Sequence, residues 1–177
     1  MKRIVLYIAS SLDGFIADAN DSIDWLTSFK GDYGYHEFLR SVDIVLMGRK
    51  TYEAVVRMGV GDPHPQQMSY VFTKNPRMYT DTTNIRFTSD DPVTLAKKLR
   101  TRDGGNIFLA GGGELLTSFV ENDLIDEVIL FVVPVALGGG IPLFGALSRR
   151  VTFSTVSART YGDGMIELRL RRKSGDE

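Results

Sequence analysis

A chain of 177 residues that is 43% apolar and 24% charged has the composition of an ordinary globular protein and the length of one domain, so residues 1–177 are read as a single unit. Its zero cysteines exclude thiol nucleophiles, cysteine zinc sites, iron–sulfur clusters and disulfides, and two histidines, His36 and His64, rule out most histidine-rich metal sites. The net charge of −1 gives no global field for nucleic acid or an anionic membrane, so any anion site must be local.

In chain order, Met1-Lys2-Arg3 precedes an apolar run over residues 4–9 that superficially suggests a leader, but the run is too short and ends at Ser10-Ser11-Leu12-Asp13-Gly14. It reads as a strand buried on both faces, which implies helices on both sides of a sheet. No apolar stretch approaches the roughly 20 residues that span a bilayer, and a cytoplasmic protein without membrane partners is expected. Residues 10–32 are polar and read as a long connection with little structure of its own, the kind that is functional or mobile. Tyr35, Phe38 and Leu39 recur at helical spacing up to Arg40 or Ser41, and residues 42–47 read as a second buried strand.

Residues 48–56 read as a strand-to-helix turn with a short helix, residues 69–73 as a third strand and residues 84–87 as a fourth. Asp91-Pro92 opens a helix that carries Leu95, Ala96 and Leu99 on one face and is ended by Gly104-Gly105. A strand over residues 106–110 runs directly into Gly111-Gly112-Gly113 and a helix bearing Leu115, Leu116, Phe119 and Val120. Residues 125–133 give a further strand, followed by a second triple glycine at 138–140. Apolar and polar residues then alternate over 152–160 and 165–171 around Tyr161-Gly162-Asp163-Gly164, an antiparallel hairpin signature. The expected fold class is α/β, a mainly parallel central sheet flanked by helices with an antiparallel C-terminal hairpin.

Gly111-Gly112-Gly113 lets backbone approach a ligand with no Cβ in the way, and free amides at the helix start favour phosphate; a tight turn is the bland alternative. Leu116 stands where the dinucleotide fingerprint needs a small residue, and no Lys-Ser or Lys-Thr follows to make a P-loop, so neither standard motif is present. Gly48-Arg49-Lys50-Thr51 is a second strand-end turn. Its cations gain nothing from the helix dipole and suit an external anion, or are simply a solvated basic pair. Thr73-Lys74 closes the next strand. Three strand ends of one parallel sheet open on the same rim and together sketch a cleft for a ligand with several phosphates.

The segment Asp18 to Asp24 fails as a calcium loop, because Ile23 replaces the required glycine and Phe29 the bidentate glutamate. His36, on the first helix, and His64, between prolines, are both expected at the surface.

Ser10-Ser11-Leu12-Asp13-Gly14, Met47-Gly48-Arg49-Lys50-Thr51-Tyr52-Glu53, Gly111-Gly112-Gly113-Glu114-Leu115 and Leu137-Gly138-Gly139-Gly140-Ile141-Pro142-Leu143-Phe144, in that order over nearly the whole chain, resemble the dihydrofolate reductase-like superfamily. The closer resemblance is to the branch of the C-terminal reductase domain of the bifunctional riboflavin biosynthesis protein. The resemblance implies NADPH lying across the strand ends. It assigns Gly48, Arg49, Lys50 and Thr51 to the cofactor's phosphates, Thr73 and Lys74 to the region of its 2′-phosphate, and Gly111, Gly112, Gly113, Glu114 and Leu115 to the pyrophosphate. Ala9 and Leu109 would border the nicotinamide. Local cations are what a phosphate dianion needs, and Arg49 and Lys74 are those available.

Hydride transfer also needs an oriented proton source. Asp13 matches the Ser-Leu-Asp-Gly motif of the riboflavin-type branch and is the catalytic candidate, with a turn carboxylate as the alternative. Trp25, in a segment resembling the one that follows in that branch, is a lid or packing residue beside the substrate. Asp32 or Glu37 fall near the position of the first-helix carboxylate of folate-reducing members.

The resulting expectation is an NADPH-dependent reductase of a small heterocycle, most like 5-amino-6-(5-phosphoribosylamino)uracil reductase, acting as a homodimer without nucleic-acid partners. Dihydrofolate reduction and an NADPH-binding module without turnover are the alternatives, since fold alone does not fix function. A deaminase half is not expected, for want of room and of cysteine zinc ligands.

Overall fold

The computed structural model describes residues 1–59 and 61–173. Its elements are β1 (Ile4–Ser11), β2 (Phe15–Ala17), α1 (Tyr35–Arg40), β3 (Val42–Gly48), α2 (Arg49–Arg57), β4 (Met68–Phe72), β5 (Ile85–Thr88), α3 (Pro92–Arg100), β6 (Asn106–Gly111), α4 (Gly113–Glu121), β7 (Glu127–Val133), β8 (Ile141–Pro142), β9 (Phe153–Thr160) and β10 (Ile166–Arg172). Eight strands form one sheet in the order β5-β4-β3-β6-β1-β7-β10-β9. From β5 to β7 every neighbouring pair is parallel, whereas β10 runs antiparallel to both β7 and β9. This is the mainly parallel sheet with an antiparallel hairpin edge that the sequence implies.

The apolar run of β1 divides its side chains between two faces, as a doubly covered strand must. Ile4 and Leu6 join Ile44, Leu46, Ile107 and Leu109 under Ala96 and Leu99 of α3 and Leu115, Leu116, Phe119 and Val120 of α4. Val5 faces the other way with Ile129, Phe131 and Val133. On that side Tyr35, Phe38 and Leu39 of α1 and Tyr52 of α2 cover Val45, Met47, Val71 and Phe108. Leu116 and Phe119 have no exposed surface, and truncating either to alanine would cost about 2–5 kcal/mol. Asp91 caps α3 by accepting from the Thr94 amide at 2.8 Å, with proline in the first turn as the sequence suggests.

Residues 10–32 hold more structure than their polarity indicates. β1 continues through Ser11, β2 pairs antiparallel with β8, and a 3-10 turn spans Asp24–Leu26. The helix α3 ends at Arg100, short of Gly104-Gly105, and β7 starts at Glu127, with Ile125 buried in the turn before it. His64 corrects the surface expectation. It is 4% exposed, hydrogen-bonded through Nε2 to Tyr35 Oη at 3.0 Å and edge-on to Phe108 at 5.6 Å, and burial lowers its pKa. Its flanking prolines read as a surface turn, while α1 and β6 supply a pocket for the ring that only the tertiary fold creates. Among the described residues no helix is long and apolar enough to cross a membrane.

Candidate cofactor and substrate site

Because β4, β3, β6 and β1 are parallel, their C-terminal ends share one rim, and two helices start there. Gly48 ends β3 and is the N-cap of α2; Gly112 follows β6 and is the N-cap of α4; neither helix has a side chain capping its first amides. Those amides are free to meet an anion. The two starts lie close together. A Cβ on Gly48 would lie 3.8 Å from the Gly112 nitrogen, and one on Gly112 would lie 3.4 Å from Thr51 Oγ1. Gly111 has φ +116°, a conformation only glycine adopts readily, and the Gly111–Gly112 peptide is cis.

The remaining motifs close around this centre. A Cβ on Gly113 would meet the Pro142 carbonyl oxygen at 2.9 Å, and one on Gly140 (φ +137°) would strike the Ala17 carbonyl oxygen. The β2–β8 ladder aligns Phe15 with Pro142 and Ala17 with Ile141. Asp13 completes the connection: its Oδ1 accepts from Ser11 Oγ at 2.6 Å and the Leu137 amide at 3.0 Å, and its Oδ2 from the Gly138 amide at 2.7 Å. The Ser11 hydroxyl first, then the two amides, hold its carboxyl down at about 2. At neutral pH it is a carboxylate committed to a loop, chemistry that suits positioning better than proton donation.

Charge on the rim is unevenly free. Arg49 pairs with Glu53 at 2.6 Å, and Tyr79 Oη donates to the same carboxylate at 2.5 Å. Lys50 and Lys74 are exposed, and no ion pair among the described residues engages either. Thr73 turns the chain after β4, its Oγ1 accepting from the Asn75 amide at 3.3 Å. Glu114 points to solvent, whereas Leu115 is 8% exposed and packs into the core, so it offers the rim only backbone. Leu109 is fully buried in register with Leu6, below the rim, and its side chain is not placed to border a ring there; Ala9 is half-buried on the opposite face of the sheet.

On Ala9's face, Trp25 packs against the cluster of Val5, Ile129, Phe131 and Val133, and its indole Nε1 is buried without an acceptor. Asp32 is exposed and caps α1, accepting from the Gly34 and His36 amides at 3.1 and 3.2 Å and from the His36 ring, which is the main reason its pKa is lowered. Glu37 is exposed on α1, whose inward residues are Tyr35, Phe38 and Leu39. Neither carboxylate is buried against the sheet.

Three residues escaped the sequence reading. Glu53 accepts from both Arg49 and Tyr79, and Glu167 is 5% exposed in the same cross-strand row as Ala9 and Phe131. Burial pushes the Glu167 carboxyl up, but hydrogen bonds from Tyr161 and Arg169 outweigh it and leave the group ionised more readily than usual. Spacing alone could have found Glu53, four residues after Arg49. Glu167 left a weaker signal, a charge inside an alternating hairpin.

A mainly parallel sheet flanked by helices, with an antiparallel hairpin edge, defines an α/β protein of reductase-like fold. Residues 2–166 match the RibD C-terminal domain, and the chain belongs to that family. It is 40% identical over 166 residues to the uncharacterized protein YwjB of Bacillus subtilis (strain 168), covering 93% of this chain and 95% of that protein. A Shewanella sp. PV-4 protein provisionally assigned to riboflavin biosynthesis superposes with a TM-score of 0.85 at 27% identity, over 97% of this chain and 99% of the other. The deaminase/5-amino-6-(5-phosphoribosylamino)uracil reductase of Thermotoga maritima shares the fold, with a TM-score of 0.73 at 18% identity; the match covers 97% of this chain and 57% of that one.

Proposed function

We propose that the protein is an NADPH-dependent reductase of a small heterocycle, with an aminopyrimidine like that of the riboflavin-type reductases as the substrate class. The observation that carries this reading is the close approach of Gly112 to Thr51, which sets two uncapped helix starts side by side as one cradle for a pyrophosphate. Gly48, Thr51, Gly111, Gly112 and Gly113 would hold the phosphates, and Lys74, Lys50 and Arg49 the 2′-phosphate. When bound, the nicotinamide supplies the hydride. The chain's part is to orient the ring beside Ala9, with Trp25 packed over that face of the sheet. Asp13 takes a positioning role: ionised and bonded to the loop at 137–138, it fixes the turn beside the end of β1.

Nothing on α1 favours folate. A pterin needs a sheltered carboxylate, and Asp32 and Glu37 are both exposed. A homodimer finds support in the bare apolar side chains of the terminal hairpin, Val156 and Ile166, at 55% and 39% exposure, and sedimentation tests it.

The deciding experiment follows NADPH absorbance with the ribosylated aminouracil, with dihydrofolate and with neither. Turnover of the aminouracil is the expected result. Saturable NADPH binding without turnover of any heterocycle would reduce the protein to a binding module, and absence of NADPH binding would overturn the site.

A further inference from the structure

Arg49, the first residue of α2, does not reach freely into solvent. Its Nη1 donates to Glu53 Oε2 at 2.6 Å, one turn along the helix, while Oε1 of the same carboxylate accepts from Tyr79 Oη at 2.5 Å. Tyr79 comes from the segment that leaves β4 through Lys74, five residues earlier. Its ring is stacked on Phe87 of β5, with centroids 4.6 Å apart and planes inclined by 14°, and Phe87 in turn meets Tyr52 of α2 edge-on at 5.1 Å. The phenol is thus fixed by a ring stack on one side and by the carboxylate on the other. The carboxylate is fixed by the phenol, and the guanidinium by the carboxylate.

An anion one helical turn from a phosphate site is unfavourable unless its charge is committed elsewhere. Both oxygens of Glu53 are committed, and the Tyr79 hydroxyl first, then the Arg49 guanidinium, hold the carboxyl below its usual range. A simple helical pair would need only Arg49 and Glu53, and would do no more than support α2. The third partner, brought from a different part of the sheet, ties the arginine to the segment that carries Lys74. A long side chain held in place beforehand loses less freedom when it meets an anion. A guanidinium has five N–H donors, so contact through Nη1 leaves others to bind.

We propose that Glu53 and Tyr79 are positioning residues for cofactor discrimination, holding the Arg49 guanidinium on the Lys74 side of the rim where it meets the 2′-phosphate that distinguishes NADPH from NADH. The inference rests on the NADPH reading of the site.

Calorimetric affinities for NADPH and NADH, measured on the wild type, Tyr79→Phe, Arg49→Gln and the double variant, test it. Tyr79→Phe removes one hydroxyl and keeps the stacked ring; NADPH should bind roughly three- to tenfold more weakly and NADH as before. In the Arg49→Gln background the same substitution should change neither affinity, because the residue it acts through is gone. Phe87→Leu, which leaves every charge in place and removes the stack, should reduce the preference in the same direction by a smaller factor. An unchanged NADPH-to-NADH ratio in Tyr79→Phe, or a full effect persisting in the double variant, overturns the proposal. A wild type that prefers NADPH, with Lys74→Met losing that preference and Arg49→Gln keeping it, also overturns it while leaving the NADPH reading standing. A wild type that binds neither cofactor overturns both.

Discussion

Gly112 faces Thr51 so closely that a Cβ on the glycine would lie 3.4 Å from the threonine hydroxyl, and this single approach makes the ends of β3 and β6 one surface. The neighbouring Gly113 is confined for a different reason. A Cβ there would press on the Pro142 carbonyl of β8.

The two glycines should therefore separate binding from folding. In Gly112→Ala the backbone, at φ −86°, accepts a side chain, and the methyl group enters the space meant for pyrophosphate. NADPH affinity should fall roughly tenfold or more, about 1.4 kcal/mol, with little change in melting temperature. Gly113→Ala should instead lose about 1–3 kcal/mol of stability, because backbone must move to relieve a 2.9 Å contact. Calorimetric titration and thermal unfolding of both variants check the contrast, and equal losses of affinity and stability in Gly112→Ala would make the triple glycine a mere turn.

Cofactor preference should draw on Lys74, the exposed cation just past the end of β4, as well as on Arg49. Charge-assisted contacts to the 2′-phosphate should favour NADPH over NADH by roughly 1.5–3 kcal/mol, and Lys74→Met should remove much of that preference. Salt should erode it too, since exposed charges are screened within a Debye length of about 10 Å at 0.1 M. Affinities for both cofactors at low and high salt measure this, and a salt-independent preference would place the discriminating contact elsewhere.

Asp13 makes a prediction about acid. Its folded pKa, about 2, lies below the ordinary 3.8, so its contribution to stability is complete above the ordinary value and is lost as pH falls from there toward 2. Asp13→Asn should flatten that part of the acid-unfolding curve. At neutral pH the same variant should lower turnover with NADPH affinity nearly unchanged, and the pH–rate profile should keep its shape, because a group already ionised is not the titrating acid. Loss of one limb of the profile would restore Asp13 as a proton donor.

The parts of this site that lie on turns were legible in the sequence, because Gly48-Arg49-Lys50-Thr51 and Gly111-Gly112-Gly113 announce strand ends through glycine and an adjacent apolar run. What joins them was not. The β2–β8 pairing involves three residues on one side and two on the other, too short for any period to appear, so residues 10–32 looked unstructured. His64 and Tyr79 owe their partners, Tyr35 and Glu53, to tertiary contacts across 29 and 26 residues, which no local pattern encodes. Leu109 is the reverse case: its place in a strand is legible from the apolar run at residues 106–110, whereas its depth below the rim depends on register.

Substrate choice should follow the exposure of α1. Glu37→Gln should leave every kinetic constant unchanged, and Asp32→Asn should act only through the start of α1, costing about 0.5–1 kcal/mol of stability. Dihydrofolate should be turned over slowly in wild type and variants alike. Efficient dihydrofolate reduction that collapses in either variant would return the protein to the folate-reducing branch.

The position of β1 also governs how the chain can assemble. Ile4 to Leu6 lie beside residues 107–109 on one edge, and β1 lies beside residues 127–133 on the other, so this strand is inserted between two that are made later. β4 and β5, by contrast, each pair with the strand just before them, β3 and β4, and can join it as they emerge. Until residues 107–109 exist, the apolar strand β1 has no edge to join, and such long-range pairing is slow. Nascent chains stalled before residue 107 should therefore hold an exposed sticky strand, a natural substrate for holdase chaperones.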